Sequence, residues 1–493
     1  MEDGSDESQY GRAKRLGLIV GGAVFVVILL TPPPAGLSTA GWRTAAVALL
    51  MAVWWMTEAI PIPATALLPL ALFPTLGVLD ASNTAAPYAN DLIYLFLGGF
   101  LLAVTMERWG LHKRIALRIM AWVGTSPNRL VLGFMLATAF ISMWISNTAT
   151  AAMMLPIALA VGEMFRPQDH EGPYEFGVAL MLGVAFAASI GGIATLIGTP
   201  PNAVLAGAVS EMFHRQIGFL QWMAVGVPVA AVMLPLAWIV LTRFLYPPGQ
   251  LSGDAAAIIA AERAKLGAPR RGEKLTGLVF GLTAAAWVLR SPKTFGSVTV
   301  PGIQSWAPSV SDSTIAIAAA MVLFLLPVDL KRGEFVLDWK TAKRIPWGVL
   351  VLFGGGLSLA RAMDRSGLAE WIGGAVAGLG TIPTVLIIAS VVALFALLTE
   401  FTSNTATATM AMPIMAGAAM GLGVEPVMLM TTACLATSMA FMLPAATPPN
   451  ALVFSSGYLT IPQMLKAGVV LDILAVGVIT AAATFLIPYF LLR

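Results

Sequence analysis

Leu95–Leu111, LFLGGFLLAVTMERWGL, lies over Leu352–Leu368, LFGGGLSLARAMDRSGL, when the chain is set against itself at a shift of 257 positions (355 − 98). Gly98, Gly99, Met106, Arg108 and Gly110 then meet Gly355, Gly356, Met363, Arg365 and Gly367. The same shift brings Ser146-Asn147-Thr148-Ala149-Thr150 onto Ser403-Asn404-Thr405-Ala406-Thr407, and Pro156-Ile157 onto Pro413-Ile414. A third block, Thr199-Pro200-Pro201-Asn202, recurs at Thr447-Pro448-Pro449-Asn450 with a shift of 248 (447 − 199), which needs a modest deletion in the second half. Blocks that recur in the same order mark a duplicated architecture. In an apolar helical chain, duplicated halves that build a site between them are the mark of secondary transporters.

The composition makes the chain a bilayer protein. Hydrophobic residues are 58% of the 493 and charged residues 11%, and the mean hydropathy is +0.85, far from a soluble globular chain. Residues 59–79, 216–242 and 473–492 carry no formal charge, long enough for spanning helices of about 20 residues. The first apolar stretch, 17–31, follows Arg12, Lys14 and Arg15 and lacks an A-x-A-like cleavage site, so it reads as a retained helix with a cytoplasmic N-terminus. The single cysteine, Cys434, excludes an internal disulfide framework and a multi-cysteine metal site. No N-x-[ST] sequon occurs, which favours a bacterial inner membrane, and a net charge of +3 gives no reason to expect a nucleic-acid partner.

The polar repeats sit in the longest uncharged windows, 130–162, 176–210 and 426–465, and in the stretch after Glu400. Ser-Asn-Thr offers hydroxyl and amide oxygens to a hard cation, amide and hydroxyl hydrogens to a carboxylate, and little bulk over the backbone. With apolar flanks, the segments 127–162 and 381–420 read as re-entrant hairpins that turn at the triplets. Pro-Pro ends one helix and suits the first turn of the next, so carbonyls near Gly198 and Ala446 are left free for sodium. The half-helix that follows points its positive end at an anion. Such breaks at membrane depth are tolerated where they line a cavity. No Lys, Arg or His lies within these motifs, so a dianion entering them needs co-transported cations for neutralisation.

The two triplets, the two Thr-Pro-Pro-Asn motifs and the early run Trp54-Trp55-Met56-Thr57-Glu58-Ala59-Ile60-Pro61 followed by Thr65-Ala66-Leu67-Leu68-Pro69 resemble the divalent anion/sodium symporter family over nearly the whole chain. That family includes sodium-coupled dicarboxylate, citrate and sulfate carriers and some anion exchangers. The resemblance implies an all-α polytopic fold of about 11 transmembrane helices, with two re-entrant hairpins and two broken helices in an inverted-repeat arrangement. It implies a homodimer, a scaffold part and an elevator-like transport part in each protomer. By motif position, one sodium falls among Ser142, Ser146, Asn147 and Gly198, and a second among Thr399, Thr402, Asn404 and Ala446. The carboxylates fall to Asn147, Thr148, Thr199, Asn404, Thr405, Thr447 and Pro448. Ser-Asn-Thr intact in both repeated motifs looks like the dicarboxylate branch, hence succinate, fumarate or malate.

These readings divide the chain into N-terminal scaffold helices (1–120), a first transport repeat (121–246), a polar connector (247–275), second scaffold helices (276–380) and a second transport repeat (381–493). The connector reads as a solvated linker with an Ala-rich helix at 255–265. Glu58 reads as a buried carboxylate capping the Ile60-Pro61 turn, and His112, His170 and His214 as surface groups. Three other functions are weighed. An exchanger of the same fold would more naturally put a fixed cation where this sequence has oxygens. An intramembrane enzyme lacks G-x-S-x-G, H-E-x-x-H and a P-loop lysine. An anion channel would line its pore with charge of one sign.

Overall fold

The computed structural model describes residues 11–124, 126–166, 174–249, 255–295 and 298–492. Its helices run, in chain order, α1 (Arg12–Leu30), α2 (Thr39–Thr57), α3 (Ile62–Thr65), α4 (Leu68–Thr75), α5 (Ala81–Ala85), α6 (Asp91–Trp109), α7 (Leu111–Val123) and α8 (Pro127–Ser142). There follow α9 (Asn147–Met164), α10 (Glu175–Gly192), α11 (Pro200–Phe213), α12 (Phe219–Ile239), α13 (Ala255–Leu266), α14 (Arg271–Leu289), α15 (Asp312–Leu325) and α16 (Trp339–Ala342). The chain ends with α17 (Trp347–Arg365), α18 (Leu368–Val376), α19 (Thr384–Thr399), α20 (Asn404–Leu422), α21 (Pro426–Ala436), α22 (Pro448–Phe454), α23 (Ile461–Phe485) and α24 (Ile487–Phe490). Two short antiparallel hairpins, Lys293–Phe295 with Val298–Val300 and Pro327–Asp329 with Glu334–Phe335, are the sheet among the described residues.

The repeat in the sequence is a repeat of elements: α6 to α12 answer α17 to α23 one for one. Among the described residues, seven helical stretches are long and apolar enough to cross a membrane, including Arg12–Leu30, Ala81–Trp109, Phe219–Leu245 and Ile461–Phe490. The chain is therefore an all-α polytopic membrane protein. Each expected hairpin is a helix pair with a turn of a few residues, α8/α9 and α19/α20. Each expected break separates a helix from a shorter successor, α10 from α11 and α21 from α22.

By backbone proximity the chain forms two compact units. The first comprises residues 1–90, 204–216 and 347–437, the second 91–203, 217–346 and 438–493. In the first, Val47, Met51 and Trp55 of α2 pack with Leu352, Leu359 and Met363 of α17 and with Phe73 and Ala406. The Trp55 Nε1 donates to the Ile62 carbonyl at 3.1 Å, fixing the chain where α2 gives way to α3. In the second, an aromatic stack runs Trp144, Phe219, Trp287, with centroids 6.1 and 4.3 Å apart. Asp312 holds the same corner: Arg290 Nε lies 2.7 Å from its carboxylate and the Phe219 N–H donates to it at 2.8 Å.

The repeated glycine pair has a packing reason in both units. A Cβ on Gly98 would stand 2.6 Å from the backbone of Ala316, and one on Gly355 2.2 Å from the Ala66 carbonyl oxygen. Both distances are shorter than real Cβ contacts, so each helix approaches its neighbour to a distance at which only hydrogen fits at Cα.

Three sequence readings are corrected. Glu58 is not buried; it takes a left-handed conformation (φ 48°) at the end of α2 and faces Lys14 at 3.7 Å. His112 is a buried side chain of α7, with Nδ1 3.0 Å from the Met106 carbonyl. Burial is the main cause that lowers its pKa to about 4, so the imidazole is neutral at physiological pH. His214 sits at φ 52° just beyond α11, and His170 lies outside the described residues. The connector is more than a linker: α13 docks along α7, where Arg114 donates to the Gly267 carbonyl at 3.0 Å and its guanidinium pairs with buried Glu273.

Candidate functional site

In the second unit, the turn of the first hairpin is built at the end of α8. Ser146 caps α9, its Oγ accepting the Ala149 N–H at 3.3 Å, which stops the chain from continuing as one helix and exposes Ser146 and Thr148. Buried Ser142 lies one turn before it. The Ser142 Oγ is 2.7 Å from both Asn147 Oδ1 and the Ala188 carbonyl oxygen of α10. A hydroxyl has one proton, so it can satisfy only one of those two oxygens.

The first unit repeats the arrangement with a different hydroxyl. Thr399, aligned with Ser142, has its Oγ1 2.6 Å from Asn404 Oδ1 and 2.9 Å from the Thr437 carbonyl oxygen. Thr402 donates to the Leu398 carbonyl at 2.8 Å and lies 2.5 Å from the Thr407 hydroxyl. Thr405 follows Asn404 in the first turn of α20, where the backbone N–H groups have no helical acceptor. Each triplet thus gathers three oxygens about one proton, with the N-terminal end of a long helix beside them. A hard cation meets the surplus of oxygens, and a helix N-terminus favours an anion.

The broken helices are held by their terminal asparagines. Asn202, fully buried, donates from Nδ2 to the carbonyls of Gly192 at 3.2 Å and Thr195 at 2.7 Å. Asn450 does the same to Ala440 at 3.2 Å and Leu443 at 3.0 Å. All three positions are related by one shift of 248 (440 − 192, 443 − 195, 450 − 202), so the staple is copied with its motif. Thr195 further ties the first break to the hairpin by donating to the Met143 carbonyl at 2.5 Å. Gly198 and Gly192 must lack side chains: a Cβ on Gly198 would be 2.4 Å from the Gly192 carbonyl oxygen, and one on Gly192 2.4 Å from Asn147 Oδ1.

Of the first sequence-derived set, Ser142, Asn147, Gly198 and Thr199 belong to one unit, and a chain of direct contacts links Ser142 through Asn147 and Gly192 to Gly198. The second set divides: Thr399, Thr402, Asn404 and Thr405 lie in the first unit, and Ala446, Thr447 and Pro448 in the second. Thr447 caps α22, its Oγ1 accepting the Asn450 N–H at 3.2 Å. The sequence reading did not single out Thr195, the stapling role of the two asparagines, or Ser189 and Ser438. The last two are buried hydroxyls without a hydrogen-bond partner among the described residues. The asparagines were visible in the repeated motif; the others carry no signal short of the packing.

A polytopic helical chain whose duplicated halves each place a polar hairpin turn and a broken helix among apolar segments has the architecture of a secondary transporter. Comparison with known proteins identifies it further. The sodium:sulfate symporter transmembrane region family matches residues 12–492, and the chain belongs to that family, one of transporters and not of enzymes. The sodium-dependent dicarboxylate transporter SdcS of Staphylococcus saprophyticus is 42% identical over 495 residues, covering 98% of this chain and 93% of its own. The SdcS of Staphylococcus aureus strain MRSA252 is 38% identical over 489 residues, covering 97% and 92%. Among solved structures, the Alcanivorax borkumensis YdaH transporter aligns with a TM-score of 0.59 over 92% of this chain and 99% of that one, at 16% identity, which is a likeness of fold.

Proposed function

We propose that this protein is a sodium-coupled symporter of C4-dicarboxylates such as succinate, fumarate and malate in a bacterial inner membrane. The observation that carries the reading is the duplicated cluster of oxygens, Ser142 with Asn147 and the Ala188 carbonyl, and Thr399 with Asn404 and the Thr437 carbonyl. Sodium ions take these oxygens, with Ser146 and the Gly198 carbonyl completing the first set and Thr402 joining the second. The bound cations then neutralise the carboxylates, for which Asn147, Thr148, Thr199, Thr447 and Pro448 of the second unit and Asn404 and Thr405 of the first are the proposed contacts. The names of the Staphylococcus relatives support the same cargo and ion.

The order of binding follows from electrostatics. A dicarboxylate entering a low-dielectric site without a basic side chain would cost many kcal/mol, so sodium binds first and prepares the site. Empty of both, the tips carry surplus oxygens. Loaded with both, the site is near neutral and can cross the bilayer as a unit, an elevator-like movement of the hairpins and breaks against a scaffold in each protomer of a homodimer. Exchange without net sodium coupling is the second reading.

Uptake of labelled succinate into proteoliposomes tests this under an inward sodium gradient, an equal potassium gradient, or internal succinate alone. Concentrative uptake with sodium only is expected, and Asn147→Ala and Asn404→Ala should each abolish it with the protein still folded in the membrane. Uptake that ignores sodium and requires internal succinate would make the protein an exchanger.

A further inference from the structure

Along α7, Arg114, Arg118 and Trp122 follow one another at intervals of four and so share one stripe of the helix. The opposite stripe, His112, Ala116, Leu117 and Met120, is buried. The arginine end of the exposed stripe opens on a cavity of about 370 Å³ lined by Arg114, Arg118, Ala260, Arg263, Leu266 and Gly267, made where α13 lies along α7. A second cavity of about 330 Å³ shares Arg114 and Leu266 with it and adds Arg108, Lys265 and Arg270. Trp122, at the other end of the stripe, is 87% exposed.

The charges of this groove do not cancel. Arg108 is paired with Asp338 at 2.6 Å, Lys265 with Glu262 at 2.5 Å, and Arg114 with Glu273. Glu334, which lines the second cavity, stands 4.0 Å from Arg108. Arg118, Arg263 and Arg270 have no acidic partner among the described residues; Arg118 and Arg263 line the first cavity, and Arg270 lines the second. Arg114 cannot turn to a ligand, since its guanidinium is committed to Glu273 and to the Gly267 carbonyl. Its part is to hold the end of α13 so that Arg263 and Arg118 line one cavity.

We propose that the groove between α7 and α13 is a binding site for the phosphate headgroup of an anionic membrane lipid. Arg118 and Arg263 take the phosphate, Arg270 adds positive charge in the adjoining cavity, and Trp122 lies in the interfacial layer beside the acyl chains. Planar guanidinium groups suit phosphate oxygens, and basic pockets on the cytoplasmic side of membrane proteins bind acidic headgroups. Lys and Arg on α7 and the connector mark that side by the positive-inside rule. The exposed tryptophan selects a lipid over a soluble anion, because indole rings favour the membrane–water interface. An amphipathic helix with arginines on one stripe and bulk apolar contact at its end lies in the plane of that interface.

The test is equilibrium binding of fluorescent phosphatidylglycerol to the purified full-length protein in detergent. The competitors are unlabelled phosphatidylglycerol, phosphatidylcholine and inorganic phosphate. Phosphatidylglycerol alone should compete. The triple variant Arg118→Gln/Arg263→Gln/Arg270→Gln should bind at least roughly tenfold more weakly, since each basic residue near a membrane surface contributes on the order of a kilocalorie. The corresponding triple lysine variant should keep most of the affinity, which separates lost charge from lost folding. Unchanged binding in the glutamine variant overturns the site. Equal competition by phosphatidylcholine overturns the headgroup, and competition by inorganic phosphate overturns the lipid in favour of a soluble phosphate anion.

Discussion

Replacing Asn202 by alanine removes a carboxamide that closes the first helix break from inside. Its Nδ2 serves two carbonyls, Gly192 at 3.2 Å and Thr195 at 2.7 Å, in a fully buried position. Losing both bonds leaves two buried acceptors short of a donor, at about 1–3 kcal/mol each, less whatever the loop recovers by relaxing. A net loss near 2 kcal/mol falls on the segment that presents the Gly198 carbonyl. If that energy is what holds the loop ready for the ion, the competent fraction drops by roughly thirtyfold and the sodium concentration for half-maximal uptake rises by the same factor. Succinate affinity at saturating sodium should change little, because sodium then restores the loop. The assay is succinate uptake in proteoliposomes over a sodium series, with protein amount checked by size-exclusion profile. Half-saturation within twofold of the wild type in Asn202→Ala would refute the argument that the staple prepares the break. Asn450→Ala, which loses the bonds to Ala440 and Leu443, is the matching test in the second repeat.

Other outcomes follow from the same contacts. Ser142→Ala and Thr399→Val each delete the hydroxyl at the centre of an oxygen cluster; sodium affinity should fall about tenfold, as for a lost ligand of 1–2 kcal/mol, while Ser142→Thr keeps it. Gly98→Ala and Gly355→Ala place a methyl group where the backbone of Ala316 or Ala66 already stands, so thermal unfolding should shift down in line with a cost of about 1–3 kcal/mol. Asp312→Asn leaves Arg290, whose side chain is 12% exposed, without its countercharge; a loss of about 3–5 kcal/mol should appear as a lower unfolding midpoint, and an unchanged midpoint would show that the pair is not structural.

Much of the architecture is legible in the sequence. The uncharged windows dictate helices because every backbone group in a bilayer must be paired within its own segment. The register of Gly98 on Gly355 and of Asn147 on Asn404 dictates that whatever one half builds, the other builds again. Proline pairs at 200–201 and 448–449 have no N–H to continue a helix, so the breaks fall where they were read. Failures came where a residue's neighbours lie far away in the chain. Glu58 looked like a buried charge beside an Ile-Pro turn, yet the left-handed end of α2 turns it outward to Lys14. His112 looked like a surface group among Lys113 and Arg114, yet the helix phase puts it on the buried stripe of α7.

By itself the sequence determined the class of protein, the duplication, and the residue types available to an ion and a dianion, because those follow from hydropathy, repetition and the donor inventory of side chains. Tertiary structure decided which oxygens share one proton at the hairpin tips, which carbonyls the asparagines hold, and that the charged connector docks on α7 with Arg118, Arg263 and Arg270 lacking an acidic partner among the described residues. Hydropathy and periodicity act along the chain. A hydrogen bond from Asn202 to Gly192 or an ion pair from Arg114 to Glu273 depends on how segments return to one another, and that is set by packing.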